Sequence, residues 1–244
     1  FAGNPYLIDW DPLLELNLIE ENDLVPLLSE PGSIIDYGNL YNHFFVIAAK
    51  AYTNFKNSKK ICEDRYGSFL QFVDKNESWI YPYCSYQTLK QGFDDLPWWE
   101  WKQEFRQYNT DLVSSFSESQ MGVFNLHAFL QYIFYAQWSE LRSYANQKNI
   151  KIVGDLPIYV APDSADTWQN PSLFEINPES GQFSHVAGVP PDYFNEDGQY
   201  WGNPLYDWIE HKKDGYDWWK QRLHAQLVLF DIVRIDHFRG FHDF

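Results

Sequence analysis

Sulfur-containing residues are almost absent from this chain of 244 residues, which has two cysteines and one methionine. Cys62 and Cys84 show neither CxxC spacing nor a paired histidine cluster, so we expect reduced thiols and no disulfide framework. Long apolar runs are also lacking, since no stretch approaches the roughly 18 residues that a membrane-spanning helix needs. These absences favour a cytoplasmic protein, or a plastid one in a plant or alga.

Basic residues are few relative to acidic ones. The chain has 18 Lys and Arg against 34 Asp and Glu, which gives a formal net charge of −16. Such a surface repels phosphate backbones and anionic lipid headgroups, so we expect neither nucleic acid nor membrane as a partner. The motifs GxGxxG, GxxxxGK[ST] and HExxH do not occur, and we therefore predict no nucleotide, no metal and no other cofactor.

Aromatic residues, by contrast, are abundant. They make up 19% of the chain and include 11 tryptophans, within a total hydrophobic content of 45% that is typical of a folded domain. One interpretation is stacking on sugar rings, and the other is a tryptophan-rich core. Composition alone favours the core. The segment "LPWWEW" at residues 96–101 has the same two interpretations, a glucan platform or packing between helices, and packing is favoured.

The chain divides near residue 150, and the part before it is predicted to be helical. We expect a helix from Asp36 to Lys56, two short helices up to Leu89 and a long helix near Glu118 to Gln147. An apolar stripe on the long helix predicts a face turned to a core, and it consists of Leu126, Phe129, Leu130, Ile133, Phe134, Leu141, Tyr144 and Ala145. His127 is interpreted as a boundary residue of this helix, because no second metal ligand lies three or four residues away.

The part after residue 150 changes to an alternation of strands and helices. A strand-like run, "KIVGDLPIYV", is followed by a stretch rich in Gly, Pro, Asp and Asn at about 161–215, a helix from Asp217 to Leu229 and the strand "DIVRIDHF". This order is typical of parallel α/β units. A loop of such length inside a compact domain is uncommon and usually functional, so we predict that 161–215 is an active-site loop.

The last strand carries charged residues on one of its faces. Residues two apart on a strand share a face, so Ile232, Arg234 and Asp236 point one way and Val233, Ile235 and His237 the other. An arginine beside a carboxylate holds it ionised, as a nucleophile at an anomeric carbon must be. The alternative is an Arg–Asp ion pair that ends the strand, and spacing alone leaves both interpretations open.

Asp155 gives the earlier strand a similar pattern, because it shares a face with Val153 and Pro157. Taken alone, Asp155 beside Gly154 is better interpreted as a turn or cap residue. Two carboxylates at the ends of neighbouring parallel strands nevertheless predict a functional site, because active sites of (β/α)8 barrels form at that end.

Three segments together closely resemble one enzyme family: "GDLPIYVAPDSADTW", "VAGVPPDYFNEDGQYWGNPLYDW" and "VRIDHFRGF". They are similar to the 4-α-glucanotransferases of glycoside hydrolase family 77, as are "FAGNPYLID" and "DYGNLY" nearer the start of the chain. The resemblance implies a (β/α)8 TIM barrel of the α-amylase type with helical insertions. Residues 1–150 would then be a mainly helical insertion subdomain with barrel-flanking helices, and 151–244 would supply barrel strands and the long loop.

The resemblance also implies roles for single residues. Asp236 matches the family's nucleophile, Arg234 the arginine beside it, and Asp155 the carboxylate that bonds sugar hydroxyls at the cleaved bond. His237 matches a residue that binds a sugar or supports Asp236. The loop over the acceptor side of the glucan cleft is matched by Asp192, Tyr193, Phe194, Gln199, Trp201 and Asn203.

The implied activity is the transfer of α-1,4-glucan segments between maltooligosaccharides by a retaining double displacement. The family's general acid lies on the next strand, so we expect this chain to be a central segment of a longer enzyme and inactive by itself. Two alternatives stay open, a hydrolase of the α-amylase type and a noncatalytic glucan-binding protein. The sequence does not determine the oligomeric state.

Overall fold

A computed structural model describes residues 1–28, 34–177, 179–191, 193 and 195–241. The chain divides into two compact units, each made of separate chain segments. We call them the helical unit, Ala2–Cys84 with Gly122–Leu141, and the strand unit, Phe1 with Ser85–Met121 and Arg142–Phe244. Residue 150 marks the change from helices to strands along the chain, and the predicted assignment of 1–150 to an insertion subdomain stays a prediction.

Helices occupy the chain up to residue 147. They are α1 (Asp11–Glu15), α2 (Glu21–Leu24), α3 (Tyr37–Asn57), α4 (Lys59–Tyr66), α5 (Phe69–Lys75), α6 (Glu77–Gly92), α7 (Gln103–Arg106), α8 (Thr110–Ser119) and α9 (Met121–Gln147). The predicted helix at Asp36 to Lys56 is confirmed as α3. Three helices, α4 to α6, replace the two predicted, and α9 begins at Met121 because α8 ends just before it. None of the described helices is long and apolar enough to cross a bilayer.

The helical unit is held together by capped helices and an aromatic core. The Asp36 carboxylate accepts a hydrogen bond of 2.9 Å from the backbone N–H of Asn39 and so begins α3. Inside the unit the Phe55 and Phe129 rings lie 4.9 Å apart, and both are buried. Gln131 on α9 fixes the segment that precedes α1. Its side-chain amide exchanges hydrogen bonds of 2.7 and 2.9 Å with the backbone of Gly3.

The apolar stripe of α9 is correct only in its first half. Phe129, Leu130, Ile133 and Phe134 are buried, whereas Leu141 and Tyr144 are 53% and 62% exposed. The core that covers α9 from Phe124 to Phe134 does not extend to its C-terminal turns. The boundary position predicted for His127 was wrong, since the ring is buried and burial lowers its pKa to about 4.

The strand unit contains the remaining regular elements. They are β1 (Val153–Leu156), α10 (Ala165–Gln169), β2 (Val186–Val189), β3 (Gln199–Pro204), α11 (Trp208–Lys213), α12 (Asp217–Leu229) and β4 (Ile232–Ile235). β1 pairs with β4 in parallel, and β2 pairs with β3 in an antiparallel hairpin. Within the described residues these are two two-stranded sheets, so the (β/α)8 barrel stays a prediction.

Two predictions for this unit have different outcomes. The helix at Asp217 to Leu229 is confirmed as α12. The expectation of a continuous loop at 161–215 was wrong, because that stretch contains α10, the β2–β3 hairpin and α11. Some of its polar and glycine residues make the caps and turns, as Asp207 before α11 and Gly198 between β2 and β3 show.

Tryptophans form much of the core of the strand unit. Trp98, Trp101 and Trp168 are at most 1% exposed. Their indole N–H groups donate to the backbone carbonyls of Pro162, Leu96 and Phe105 at 3.1, 2.8 and 2.8 Å. The interpretation of "LPWWEW" as packing is therefore confirmed for Trp98 and Trp101. Burial with a satisfied N–H explains part of the high tryptophan content.

Candidate active site

Strands β1 and β4 present one polar face at their carboxyl ends. They run parallel and in register, with Asp155 directly opposite Arg234. One face packs inward, where Leu156 is buried and Val233 and Ile235 contact the tryptophan-rich core. The opposite face is exposed, and it consists of Val153, Asp155, Ile232, Arg234 and Asp236. This alternation is the one that the sequence predicts.

Gly154 determines how closely the chain packs beneath this face. A Cβ atom at this position would lie 2.0 Å from the ring of Phe230, so any other residue would displace that ring. Phe230 follows α12 and comes immediately before the segment that enters β4. A glycine here therefore allows β1 to lie close to the chain that leads into β4.

Asp155 and Arg234 form a two-point ion pair across the sheet. The Arg234 Nε and Nη2 atoms donate to Asp155 Oδ1 and Oδ2 at 3.1 and 2.5 Å. This hydrogen bonding, with the attraction between the charges, lowers the pKa of Asp155 and raises that of Arg234. Asp155 lies within the β ladder, so the interpretation of Asp155 as a turn residue was wrong.

Asp236 lies next to the same guanidinium. Its Oδ2 atom is 3.7 Å from Arg234 Nη2, and 72% of its side chain is exposed. Arg234 thus links the two predicted carboxylates, one on each strand. The interpretation of Arg234 and Asp236 as a closed ion pair that ends β4 is incomplete, because both short hydrogen bonds of Arg234 go to Asp155 instead.

His237 follows the strand with a turn of the backbone. Its φ angle is +48°, in the left-handed region, which ends the extended conformation of β4. The imidazole ring lies 5.0 Å from the indole of Trp201, in an edge-on arrangement. Trp201 also contacts the Tyr159 ring at 6.1 Å. The structure therefore places the predicted residues His237 and Trp201 together, beside the segment that follows β1.

The β2–β3 hairpin carries the other predicted loop residues. Gln199 and Trp201 share a face of β3, and the Trp201 Nε1–H donates to Gln199 Oε1 at 3.0 Å. The Asn203 amide donates to the carbonyl of Val160 at 2.9 Å, which fixes β3 beside the chain beyond β1. Asn203 thus has a backbone partner, and its predicted contact with a sugar stays a prediction.

Tyr193, which is predicted to belong to the loop over the acceptor side, lies between β2 and β3. Tyr193 is fully exposed, and Tyr200 on β3 is 81% exposed. Asp192 and Phe194, which are predicted to bind substrate, lie outside the described residues. The hairpin turns at Gly198, where φ is +72° and a Cβ atom would lie 2.6 Å from the carbonyl oxygen of Val189. This position therefore requires glycine.

Two interactions that organise the site were missed in the sequence. Asp163, on the segment after β1, accepts hydrogen bonds from Tyr86 Oη at 2.6 Å and from the backbone N–H of Trp98 at 3.1 Å, and pairs with Lys90. Arg222, on α12, is buried and donates to the carbonyl of Pro157 at 2.5 Å. The signal for its burial is helical spacing, because Trp218 and Trp219 lie four and three residues before Arg222 on α12.

The opposite end of the same strand pair is organised by Asp231. Its carboxylate accepts from Arg142 Nε and Nη2 at 3.0 and 2.8 Å, from Asn146 at 2.9 Å and from the backbone N–H of Ile152 at 2.9 Å. These hydrogen bonds lower its pKa to about 2. Asp231 therefore joins α9, β1 and β4 at the end of the sheet away from Asp236.

The chemistry available at the carboxyl ends is that of paired carboxylates. Two carboxylates share one guanidinium on an open face, with aromatic and amide side chains at the adjoining hairpin. Carboxylates serve as nucleophiles or as acceptors from hydroxyl groups, and neutral sugars are bound by such acceptors together with aromatic faces. Among the described residues, no cluster of three or more His, Cys, Asp or Glu could hold a metal ion.

Comparison with known proteins gives a consistent result. The model of the family described as 4-alpha-glucanotransferase, glycoside hydrolase family 77, matches residues 1–244. The 4-alpha-glucanotransferase of Clostridium butyricum is 42% identical over 99% of this chain and 48% of its own length. That of Aquifex aeolicus is 40% identical over 99% of this chain and 47% of its own length. The chain therefore spans about half the length of the curated relatives that it matches.

Solved structures agree with the sequence relatives. The amylomaltase of Streptococcus agalactiae in complex with acarbose superposes with a TM-score of 0.88 and 34% identity, over 98% of this chain and 48% of that chain. The amylomaltase of Corynebacterium glutamicum gives a TM-score of 0.66 at 19% identity, over 98% of this chain and 32% of that chain, which supports the fold alone.

Proposed function

Because the chain belongs to the 4-alpha-glucanotransferase family, we propose that the protein transfers α-1,4-glucan segments between maltooligosaccharides. The observation that carries the proposal is the Arg234 guanidinium, which links Asp155 and Asp236 at the carboxyl ends of two parallel strands. In barrels of parallel strands, active sites form at this end. The substrates are α-1,4-glucans and maltooligosaccharides, as in the family.

In the first step Asp236 is the nucleophile. Its carboxylate oxygen forms a bond to the anomeric carbon, the glycosidic C–O bond breaks, and the departing sugar oxygen takes a proton from a general acid. By resemblance to the family, that acid belongs to a later strand. Arg234 places a positive charge 3.7 Å from the Asp236 carboxylate that attacks.

In the second step a sugar hydroxyl completes the transfer. The acceptor hydroxyl attacks the anomeric carbon, its proton returns to the deprotonated general acid, and the bond to Asp236 breaks. Two inversions give overall retention, and no water is consumed. Tyr193 at the hairpin tip and Trp201 on β3 support a preference for a sugar over water, because a stacked acceptor displaces solvent from the intermediate.

Asp155 has a binding role in this mechanism. Its side chain is 52% exposed, and its low pKa keeps it anionic under ordinary conditions. An anionic carboxylate accepts hydrogen bonds from sugar hydroxyls, and such bonds are about twice as strong as neutral ones. Gln199 and Trp201 then extend the glucan contacts along the hairpin, and His237 contacts the sugar or supports Asp236 through its position beside Trp201.

The proposal extends to the complete fold and to location. We place β1 and β4 in a (β/α)8 barrel, with residues 1–150 as a helical insertion subdomain; the support is the likeness to an amylomaltase. We further propose a cytoplasmic protein, or a plastid one in a plant or alga. The relative from Solanum tuberosum, 33% identical to this chain, is named as chloroplastic/amyloplastic.

Incubation of the full-length protein with maltotriose tests the proposed activity. Glucose together with a ladder of longer oligosaccharides would show transfer. New reducing ends without longer products would show a hydrolase of the α-amylase type, and retention on a glucan matrix without turnover would show a noncatalytic binding protein. Each of the last two results would overturn the proposal.

A further inference from the structure

Arg222 is a buried cation that points at the end of strand β1. The residue is 8% exposed, and it donates to the Tyr206 hydroxyl and to the Pro157 carbonyl. Its guanidinium carbon lies 5.1 Å from the ring centroids of both Trp218 and Trp219. The donors of this side chain are therefore directed away from solvent and toward the backbone.

The guanidinium donates hydrogen bonds to the peptide carbonyls that come directly after β1. Nη2 donates to Pro157 O at 2.5 Å and, more weakly, to Tyr159 O at 3.5 Å. Nη1 donates to Tyr206 Oη at 2.9 Å and, more weakly, to Ile158 O at 3.5 Å. The Tyr206 hydroxyl in turn donates to Ile158 O at 2.7 Å. Arg222 and Tyr206 thus fix three consecutive peptide groups.

These interactions begin where the β ladder stops. The pairing of β1 with β4 ends at Leu156 and Ile235, so Asp236, one residue later, lies outside the ladder. Arg222 lies on α12, whose C-terminus leads directly into β4. The helix that leads to the strand of Asp236 is therefore bonded to the chain that follows the strand of Asp155.

We propose that Arg222, together with Tyr206, is a positioning residue of the transferase site. By fixing the segment Pro157–Tyr159 to α12, it keeps the Asp155 carboxylate in its two-point contact with Arg234. This inference rests on the proposed function and adds to it a residue that touches neither substrate nor the reacting carboxylates.

A purely stabilising role explains the arrangement less well. The desolvation of a buried guanidinium offsets most of what its contacts contribute, and apolar replacements of buried charges are often neutral or stabilising. The rigid fork of donors in arginine does fix geometry at several points at once. Arg222 is therefore suited to specify the position of the Pro157–Tyr159 backbone.

The test is a double-mutant cycle in the full-length enzyme with maltotriose as substrate. Arg222→Met should lower kcat by about 10- to 100-fold with a smaller change in KM, because misplacement of about 1 Å at a site can cost about 100-fold. Arg222→Lys should keep part of the activity, and Tyr206→Phe should show the smallest loss. In an Asp155→Asn background, Arg222→Met should cost less than about 3-fold, because the group that it positions has already been removed.

Arg142→Met is the matched control. It removes a guanidinium that fixes the opposite end of the same strands, through Asp231 and the carbonyl of Val228. This variant should lower Tm and leave kcat at about 25 °C within about 2-fold of wild type.

Equal losses from Arg222→Met in the wild-type and Asp155→Asn backgrounds would overturn the inference, as would wild-type kcat in Arg222→Met. If Arg222→Met does not fold, the same cycle is run with Arg222→Lys and Tyr206→Phe, and independence from Asp155 would again overturn it. Wild-type enzyme is assayed first: absence of a maltotriose ladder there would overturn the proposed function itself, whereas a ladder with uncoupled variants would overturn the positioning role alone.

Discussion

The two ends of the β1–β4 pair carry the same residue types in different arrangements. At the end where the strands begin, the Asp231 side chain is 13% exposed and accepts four hydrogen bonds from Arg142, Asn146 and Ile152. At the end where the strands finish, Asp155 and Asp236 share the guanidinium of Arg234, and their side chains are 52% and 72% exposed.

The difference lies in which acceptors are already used. Both oxygens of Asp231 have protein donors, so its charge is satisfied within the fold and its pKa falls to about 2. Asp236 has only a 3.7 Å contact with Arg234 among the described ion pairs, and its oxygens stay accessible to a ligand. Asp231 holds the strands together at one end. At the other end Asp155 is engaged by Arg234, and Asp236 is the carboxylate whose oxygens are available for chemistry.

The strongest test of this difference between the two ends of the strand pair is Asp236→Asn in the full-length enzyme. Loss of the nucleophile removes the covalent route, so we expect transfer from maltotriose to fall by at least about 1,000-fold. The Tm should stay within about 1 °C of wild type, because asparagine keeps the size of the side chain. Product ladders and thermal unfolding measure the two effects. Activity within about tenfold of wild type would exclude Asp236 as the nucleophile.

Asp155→Asn should have the next largest effect. The amide keeps the size of the side chain but removes the charge that pairs with Arg234 and accepts from sugar hydroxyls, so kcat/KM should fall by about 100-fold. The retained product should still have the α configuration, because Asp236 is intact. A change in the anomeric configuration, seen by NMR of the initial product, would contradict the assignment of separate roles to the two residues.

Asp231→Asn should show the opposite pattern and serves as the control for both variants above. We expect Tm to fall by several degrees while kcat at about 25 °C stays within about 2-fold of wild type. Folding lowers the pKa of Asp231 from 3.8 to about 2, so its stabilisation is present above the ordinary pKa and is lost as pH falls through this window. The Tm difference between wild type and variant should therefore shrink below about pH 4. A constant difference would show that the charge is not its cause.

The sequence revealed the site better than the interactions that support it. Alternation along "VGDLP" and "IVRID" places Asp155, Arg234 and Asp236 on one face, because a strand has a period of two whatever surrounds it. The division of Arg234 between two carboxylates was not predictable, since it depends on which strand lies beside β4. Register across parallel strands is a long-range property that local spacing does not contain.

The same limit explains what was missed in the helices. The start of α3 follows from local capping, as the Asp36 cap shows. Burial of Arg222 and of His127 depends on partners far along the chain, and polar residues in a helix predict exposure unless those partners are known. The exposure of Leu141 has the same origin, because a stripe predicts a core only where another element covers it.

The smallest effect is expected at the hairpin tip, where Tyr193→Ala should change the fate of the glycosyl intermediate. Tyr193 is fully exposed on the segment between β2 and β3, while Trp201 contacts His237 next to Asp236. If the tip stacks on an incoming sugar, its loss weakens the acceptor and admits water to the intermediate. We expect transfer to fall about 3- to 10-fold and the share of events that end in hydrolysis to rise, a loss of about 1 kcal/mol, which is the order of one aromatic contact.

The ratio of free reducing ends to longer oligosaccharides, measured from maltotriose, separates this role from general binding. Tyr144→Ala is the control, because Tyr144 is also an exposed tyrosine, 62% accessible on α9, and it belongs to no predicted site. That variant should leave the ratio unchanged. An unchanged ratio in Tyr193→Ala, with both rates lowered together, would mean that the tip contributes to substrate affinity or stability alone. A raised ratio would show that the open end of the strands controls not only cleavage but also the choice between sugar and water.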